Sequence, residues 1–383
     1  DGETLNGQNV YTSTIEQAVH SNANIQSSAP EKQDIYLALD ASATMTDKVD
    51  SLNRAVRSFL YEIQQANADR IDKWNNGYYK GIDGDRVENH LLTIKAAVKY
   101  NNHVTTLVNG DGVTPKTSSD VDSLCNLMHI SAGYEPNGSL QDMTRTDLAL
   151  AKIKNSISDP AHSSVILMTD GEPYGRGAEG SFDYDSDTST GIMMTYENTN
   201  DALNTARAIK DNGSVIYTVY VQTGYPNGIL DKAKASRNIH DLATTAAAAG
   251  SASTADMTLG CAFLSLVSSD YPQNGQMHGI QDPKEANDKY LDGTYDDPGK
   301  GTFGKYFKMP NESGQIVNDF TDVAKDIDYR TVYNSGYAGK SSYIYDVISY
   351  PFQGDTAQGI SVYQVPRICT GVDESGHRIY TWG

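Results

Sequence analysis

The stretch Asp34-Ile35-Tyr36-Leu37-Ala38-Leu39-Asp40-Ala41-Ser42-Ala43-Thr44 constrains this chain most. An apolar run of strand length stops at an aspartate, and two hydroxyl residues follow at alternate positions before an amphipathic helix. Residues two apart in an extended or turning segment project to the same side, so Asp40, Ser42 and Thr44 offer one carboxylate and two hydroxyl oxygens to a common point. Oxygen-only ligands select hard cations, Mg²⁺ above all, rather than zinc or copper.

Further oxygens come from two distant segments. Ser163-Ser164-Val165-Ile166-Leu167-Met168-Thr169-Asp170-Gly171 is a second buried-strand pattern that ends in an aspartate, with Gly171 allowing a tight turn. Between the two strands, Met143-Thr144-Arg145-Thr146-Asp147 immediately precedes a helical pattern from Leu148 to Ile157. In an open parallel sheet, loops leaving the carboxyl ends of neighbouring strands meet at the crevice where the strand order reverses.

Asp40-x-Ser42-x-Thr44, Thr144 in a Thr-x-Thr ahead of a helix, and Thr169-Asp170-Gly171 together resemble the metal-ion-dependent adhesion site of von Willebrand factor A domains. Thr44 stands where the family usually has Ser and keeps the hydroxyl. The resemblance spans roughly residues 30 to 330, with interruptions. It implies an α/β fold, a doubly wound and mostly parallel sheet flanked by helices. It also implies Mg²⁺ (or Mn²⁺ or Ca²⁺) held by Asp40, Ser42, Thr44, Thr144 and Asp170, several of them through water. Three neutral hydroxyls and two aspartates offset the ion incompletely, so a carboxylate from a partner could displace a bound water and finish the shell. Taken singly, an aspartate ending a strand is more often a turn former and the hydroxyls beside it helix caps. The set of five favours a metal.

Composition narrows the function classes. Lys+Arg 30 against Asp+Glu 49 gives a formal net charge of -19, which repels polyphosphate and anionic lipid, so nucleic acid is not expected as a partner. No run reaches the length needed to span a bilayer, and the start, Asp1-Gly2-Glu3-Thr4, has neither a basic nor an apolar region. Two readings stand: a cytosolic protein, or a mature or trimmed fragment whose export and anchoring signals lie outside. The eight histidines show no ligand spacing and no Ser/His/Asp triad can be argued, so no enzyme is expected. Of the three cysteines, Cys125 and Cys261 fall in segments read below as insertions. A disulfide between them is one reading and three reduced thiols the other.

Along the chain, residues 1–33 are polar and read as an extended lead-in, with pairing to the C-terminal β module one reading of its short strand material. The A-type domain is expected over 34–329, with a helix from about Lys48 to Ala66, strands at His90–Tyr100 and Val104–Val108, and helices at Thr146–Ile157 and Asn200–Asn212. Val215–Val221 and Tyr306–Lys308 are the later strands, and Ile316–Ile327 the closing helix. Insertions are expected at about 109–143, which shows little periodicity, and 224–304, which includes a helix near Met257 to Ser268. Asp183-Tyr184-Asp185-Ser186-Asp187 resembles the opening of a calcium loop, but Met194 falls where the EF-hand glutamate belongs, so a solvated acidic loop is the better reading. Residues 330–383 alternate in short segments such as Thr331-Val332-Tyr333 and Arg378–Trp382, which suggests part of a β-sandwich.

With its two insertions, the arrangement resembles the tip-adhesin subunits of sortase-assembled pili in Gram-positive bacteria. That resemblance implies a cell-surface adhesin that binds a host extracellular-matrix or surface protein or a glycan, carried on a pilus backbone subunit. Aromatics such as Tyr134, Phe182, Tyr184, Tyr196, Tyr225, Tyr271 and Tyr295 supply either a binding surface or internal anchors for the inserts. Two rivals remain: an intracellular A-domain scaffold or chaperone partner, and a haloacid-dehalogenase-type phosphohydrolase. The latter usually wants an acid two residues after its nucleophile, where this chain has Ser42.

Overall fold

In a computed structural model of the chain, the two apolar runs that end in aspartate become neighbouring strands at the centre of one sheet. The structure describes residues 3–5, 8–10, 29–79, 84–131, 143–171, 173–175, 179, 196–221, 260–261, 263–270, 305–310, 313–334, 367–372 and 378–382. A short hairpin, β1 (Glu3–Leu5) and β2 (Gln8–Val10), comes first. The main sheet follows with β3 (Gln33–Asp40), β4 (Leu92–Tyr100), β5 (Val104–Val108), β6 (Ser163–Thr169), β7 (Val215–Tyr220) and β8 (Phe307–Lys308). Its order is β5-β4-β3-β6-β7-β8, with β5 antiparallel and the other pairings parallel.

Every residue of β3 and β6 is buried, which requires helices on both faces of the sheet. Ile35, Leu37 and Leu39 share a core with α1 (Val49–Asn75), α2 (Ser118–Leu127) and the closing helix α5 (Ser313–Asn334). Tyr36 and Ala38 point the other way, into a core with α3 (Thr146–Ser156), α4 (Tyr196–Asp211) and residues 263–267. This is the doubly wound α/β architecture expected from the sequence. Burying a side chain of the size of Leu37 or Ile35 contributes roughly 2 kcal/mol, so the paired layers dominate stability.

Several boundaries differ from the sequence reading for visible reasons. α1 continues past Ala66 to Asn75 because the buried stripe passes from apolar to polar residues: Ile63 is followed by Asn67 and Arg70, both buried. Within the first expected insertion, α2 forms behind a capping box in which Thr117 and Asp120 satisfy each other's backbone amides. The closing helix takes in Thr331, read from the sequence as strand material, and its hydroxyl meets the buried Arg70 guanidinium. Within 224–304, residues 263–267 are helical and Phe263, Leu264 and Val267 are buried in the core. The Asp270 carboxylate there accepts from the backbone N–H groups of Lys305, Tyr306 and Phe307 and so aims β8.

Of the two readings of Cys125 and Cys261, the structure has both thiols free rather than linked. Cys125 packs against the core on the α1 side, whereas Cys261 lies within the core on the α3 side, 3.6 Å from the sulfur of Met309. A strand layer separates the two sulfurs.

By internal contacts the chain divides into Asp1–Ala338 and Gly339–Gly383. In the second unit, β9 (Arg367–Val372) pairs antiparallel with β10 (Arg378–Trp382), with an irregularity at Ile379/Tyr380. The acidic run 183–187, most of the residues 330–383 expected to form part of a β-sandwich, and all the aromatics expected in the insertions except Tyr196 lie outside the described residues. No helix among the described residues is long and apolar enough to cross a membrane.

Asn67 joins three elements. Its amide donates to the carbonyls of Leu92 and Pro115, both at 2.9 Å, and its oxygen accepts from the N–H of Leu92 at 2.8 Å. Replacing it leaves buried backbone groups unpaired, so Asn67→Ala should cost about 3 kcal/mol of stability, read as a lower urea midpoint at unchanged slope.

Candidate metal centre

β3 delivers Asp40 to the carboxyl edge of the sheet with no exposed surface. The chain turns at once, because Ala41 N–H donates to Tyr100 O at 2.7 Å and Ser42 N–H donates back to Asp40 Oδ1 at 2.7 Å. A single 3₁₀ turn, Ala43–Met45, leads towards α1. That turn places the Ser42 and Thr44 hydroxyls 3.0 Å apart, and Thr44 donates to Asp170 Oδ1 at 2.9 Å.

Asp170 is there because β6 lies beside β3, with Leu39 opposite Met168 in the parallel register. Thr169 therefore meets Asp40 and donates to its Oδ2 at 2.6 Å. Asp40, Ser42, Thr44 and Asp170 thus form one connected run of hydrogen bonds across the point where the strand order reverses, the position at which open α/β sheets bind ligands.

Thr144 lies on the loop before α3 and is buried. Its backbone exchanges two hydrogen bonds with Tyr174, four residues beyond Asp170, at 2.9 and 3.0 Å. Arg145 N–H donates to Asn101 O, one residue past the end of β4. Two neighbouring loops thereby hold this loop at the same edge. Gly175 makes the approach possible: at φ +109° any Cβ would lie 2.9 Å from Met143 Sδ.

The charges are arranged unusually. Burial, and secondarily the neighbouring Asp170 carboxylate, raises Asp40 from 3.8 to about 7, against the opposing hydrogen bonds from Thr169 and Ser42. Tyr100, buried beneath, is pushed well above its ordinary value by desolvation and then by Asp40, so it stays a neutral phenol and donates to Met168 O. Arg145 forms a buried two-point ion pair with Asp147 at 3.0 and 2.8 Å. Three buried polar groups around this loop have no hydrogen-bond partner: the Asn102 amide, Arg145 Nη1 and the Thr146 hydroxyl. Such groups mark places where water belongs.

The donor set is all oxygen, the kind a hard cation takes, and three of its oxygens lie at separations compatible with a shared ion. Ligand oxygens on adjacent corners of an octahedral Mg²⁺ shell lie roughly 2.9 Å apart, given metal–oxygen distances near 2.1 Å. The steps from Ser42 to Thr44 and from Thr44 to Asp170 are 3.0 and 2.9 Å. Among the described residues no cluster of three or more His, Cys, Asp or Glu is placed to hold a metal. Hydroxyls would therefore supply most of the direct ligands, a combination that suits a hard ion.

Two residues escaped the sequence reading as members of the site. Thr169 was legible only as the residue before Asp170, yet it carries the hydrogen bond that orients Asp40. Lys48 reaches back from the start of α1, its Nζ 2.7 Å from Asp170 Oδ2 and 2.8 Å from Thr44 O. A lysine at a helix N-terminus, eight residues after Asp40, was the available signal.

No protein-family model matches the chain, and no curated protein sequence matches it. Among solved structures it is similar to the pilus adhesin SpaC from Lactobacillus rhamnosus GG in an open conformation, at 13% identity and TM-score 0.44, covering 80% of this chain and 31% of that one. It is also similar to the PilB minor pilin from Streptococcus sanguinis, at 11% identity and TM-score 0.42, covering 80% and 64%. A third is the manganese-loaded TRAP protein of Plasmodium vivax, at 14% identity and TM-score 0.35, covering 76% and 74%. The chain thus spans about a third of the length of SpaC. Likeness at this level decides neither family nor ligand.

Proposed function

We propose that this chain is a non-enzymatic adhesive domain that binds an extracellular protein or glycan through a divalent cation, Mg²⁺ or alternatively Mn²⁺ or Ca²⁺. Asp40, Ser42, Thr44, Thr144 and Asp170 would hold the cation. The observation that carries this reading is the gathering of Asp40, Ser42, Thr44 and Asp170 at one sheet edge: the Ser42 N–H donates to Asp40, and the Ser42, Thr44 and Asp170 oxygens follow one another at 3.0 and 2.9 Å. The bound ion would supply an electrophilic position for a partner's carboxylate. The protein's own part is to fix the ligands, keep Asp40 out of solvent and present the surrounding loops as contact area. Its setting would be a bacterial surface, on a pilus or cell wall.

The phosphohydrolase reading is weaker. That chemistry usually wants an acid two residues after the nucleophile, where this chain has Ser42. The intracellular scaffold reading uses the same metal chemistry and differs in partner. A binding screen on matrix proteins and glycans, with and without EDTA, discriminates between them.

Three outcomes are expected. Mg²⁺ or Mn²⁺ at a hundredfold excess over its Kd should stabilise the full chain by about 3 kcal/mol in thermal melts, an effect reversed by EDTA. Asp40→Ala and Asp170→Ala should each abolish that shift and the cation-dependent ligand binding; undiminished binding in both would refute the metal role.

The third concerns pH. Without cation, Asp40 titrates at about 7 in the fold and near 3.8 when unfolded. The stability from its retained proton is therefore fully present below 3.8 and lost as pH rises through 7. Asp40→Asn should flatten this decline. Because a cation needs the ionised form, the Mg²⁺-induced melt shift should grow as pH rises through about 7 and vanish in mild acid.

A further inference from the structure

We infer that Lys48 is a tethered competitor for the cation, so that filling the site is an exchange of the lysine ammonium for a divalent ion. This rests on the metal reading above and concerns how that site is regulated.

Lys48 stands where ordinary helix chemistry disfavours it. It is the N-cap of the 27-residue helix α1 and makes no capping bond with its side chain. The N-cap position normally takes Ser, Thr, Asp or Asn, and the positive end of the helix dipole repels a cation. Instead of turning out to solvent, the side chain folds back until only 13% of it is exposed, against 2% for its partner Asp170. The Thr44 carbonyl at 2.8 Å and Asp170 Oδ2 at 2.7 Å hold the ammonium there. The remaining carboxylate nearby, Asp47 at 3.4 Å, is 81% exposed and contributes little. A lysine that forgoes its local preference is compensated at the site it reaches.

Thr44 and Asp170 are also two of the five candidate metal ligands. Asp170 Oδ1 receives the Thr44 hydroxyl while Oδ2 receives Lys48, so one carboxylate faces both the ligand set and the lysine. A divalent ion bound through Asp170 would lie within a few ångströms of the ammonium, where like charges repel strongly in a partly desolvated site. Lys48 must then swing outwards before the ion is fully held. The apparent cation affinity is that of the ligands less the ion pair that is broken. The same ammonium offsets Asp170 when divalent ion is scarce, which lets the fold tolerate two buried carboxylates side by side.

The test is isothermal calorimetry of Mg²⁺ and Mn²⁺ with the full chain, comparing wild type, Lys48→Met, Lys48→Gln and Asp170→Ala, with melts of each in EDTA. Both Lys48 variants should bind the cations about tenfold tighter than wild type, the scale of one partly buried ion pair. In EDTA they should melt below wild type, and Asp170→Ala should not bind. Unchanged or weaker affinity in both Lys48 variants, with native circular dichroism, overturns the competitor role and leaves the metal site standing. Absence of binding in wild type and the Lys48 variants alike removes the metal reading, and the competitor role with it.

Discussion

Two carboxylates are brought side by side at the ends of adjacent parallel strands, and the rest of this fold has to make that tolerable. Asp40 ends β3 and Asp170 follows β6, and the register that buries Leu39 against Met168 leaves no freedom to separate them. Their repulsion is met in three ways. Asp40 tends to hold a proton, hydroxyls and a backbone amide donate to the oxygens of both, and Lys48 lends Asp170 a positive charge. Each remedy is local and reversible, whereas the packing that causes the problem is not. On the reading proposed above, a divalent cation would take over the parts played here by proton and ammonium.

The opposite edge of the sheet has a different task. Arg70, buried on α1, donates to the carbonyls of Glu31 and His90 and to Asp328 Oδ1, and Glu31 N–H donates to Thr331 O at 3.1 Å. The segments that enter and leave the α/β unit are thus bound together at the base of the sheet. Its carboxyl edge is left to the loops that carry Ser42, Thr144 and Asp170.

Much of this was legible in the chain itself. The apolar runs 35–39 and 165–168 could only be buried strands, and each stopped at its aspartate, so Asp40 and Asp170 were readable as edge residues. The hydroxyl alternation of Ser42 and Thr44 could be read in the same way. Errors arose where a buried face is polar or where local chemistry is overridden. Asn67 and Arg70 look like solvent-exposed residues until their backbone partners are known, so α1 was read nine residues short. The capping box at Thr117 and Asp120 was present but hidden by a stretch without apolar period. For Cys125 and Cys261 the sequence left a staple and free thiols both open, and only the sheet lying between them decides for the thiols.

The sequence by itself determined the central strands and the kinds of atom gathered at the site, because periodicity and side-chain chemistry are local properties; the α/β class followed from the family resemblance those residues carry. Only the tertiary structure decided that β3 and β6 are neighbours, that Thr169 orients Asp40, and that Lys48 turns inward to Asp170. Strand order and register arise from contacts more than a hundred residues apart in the chain, and no window along the sequence contains both partners.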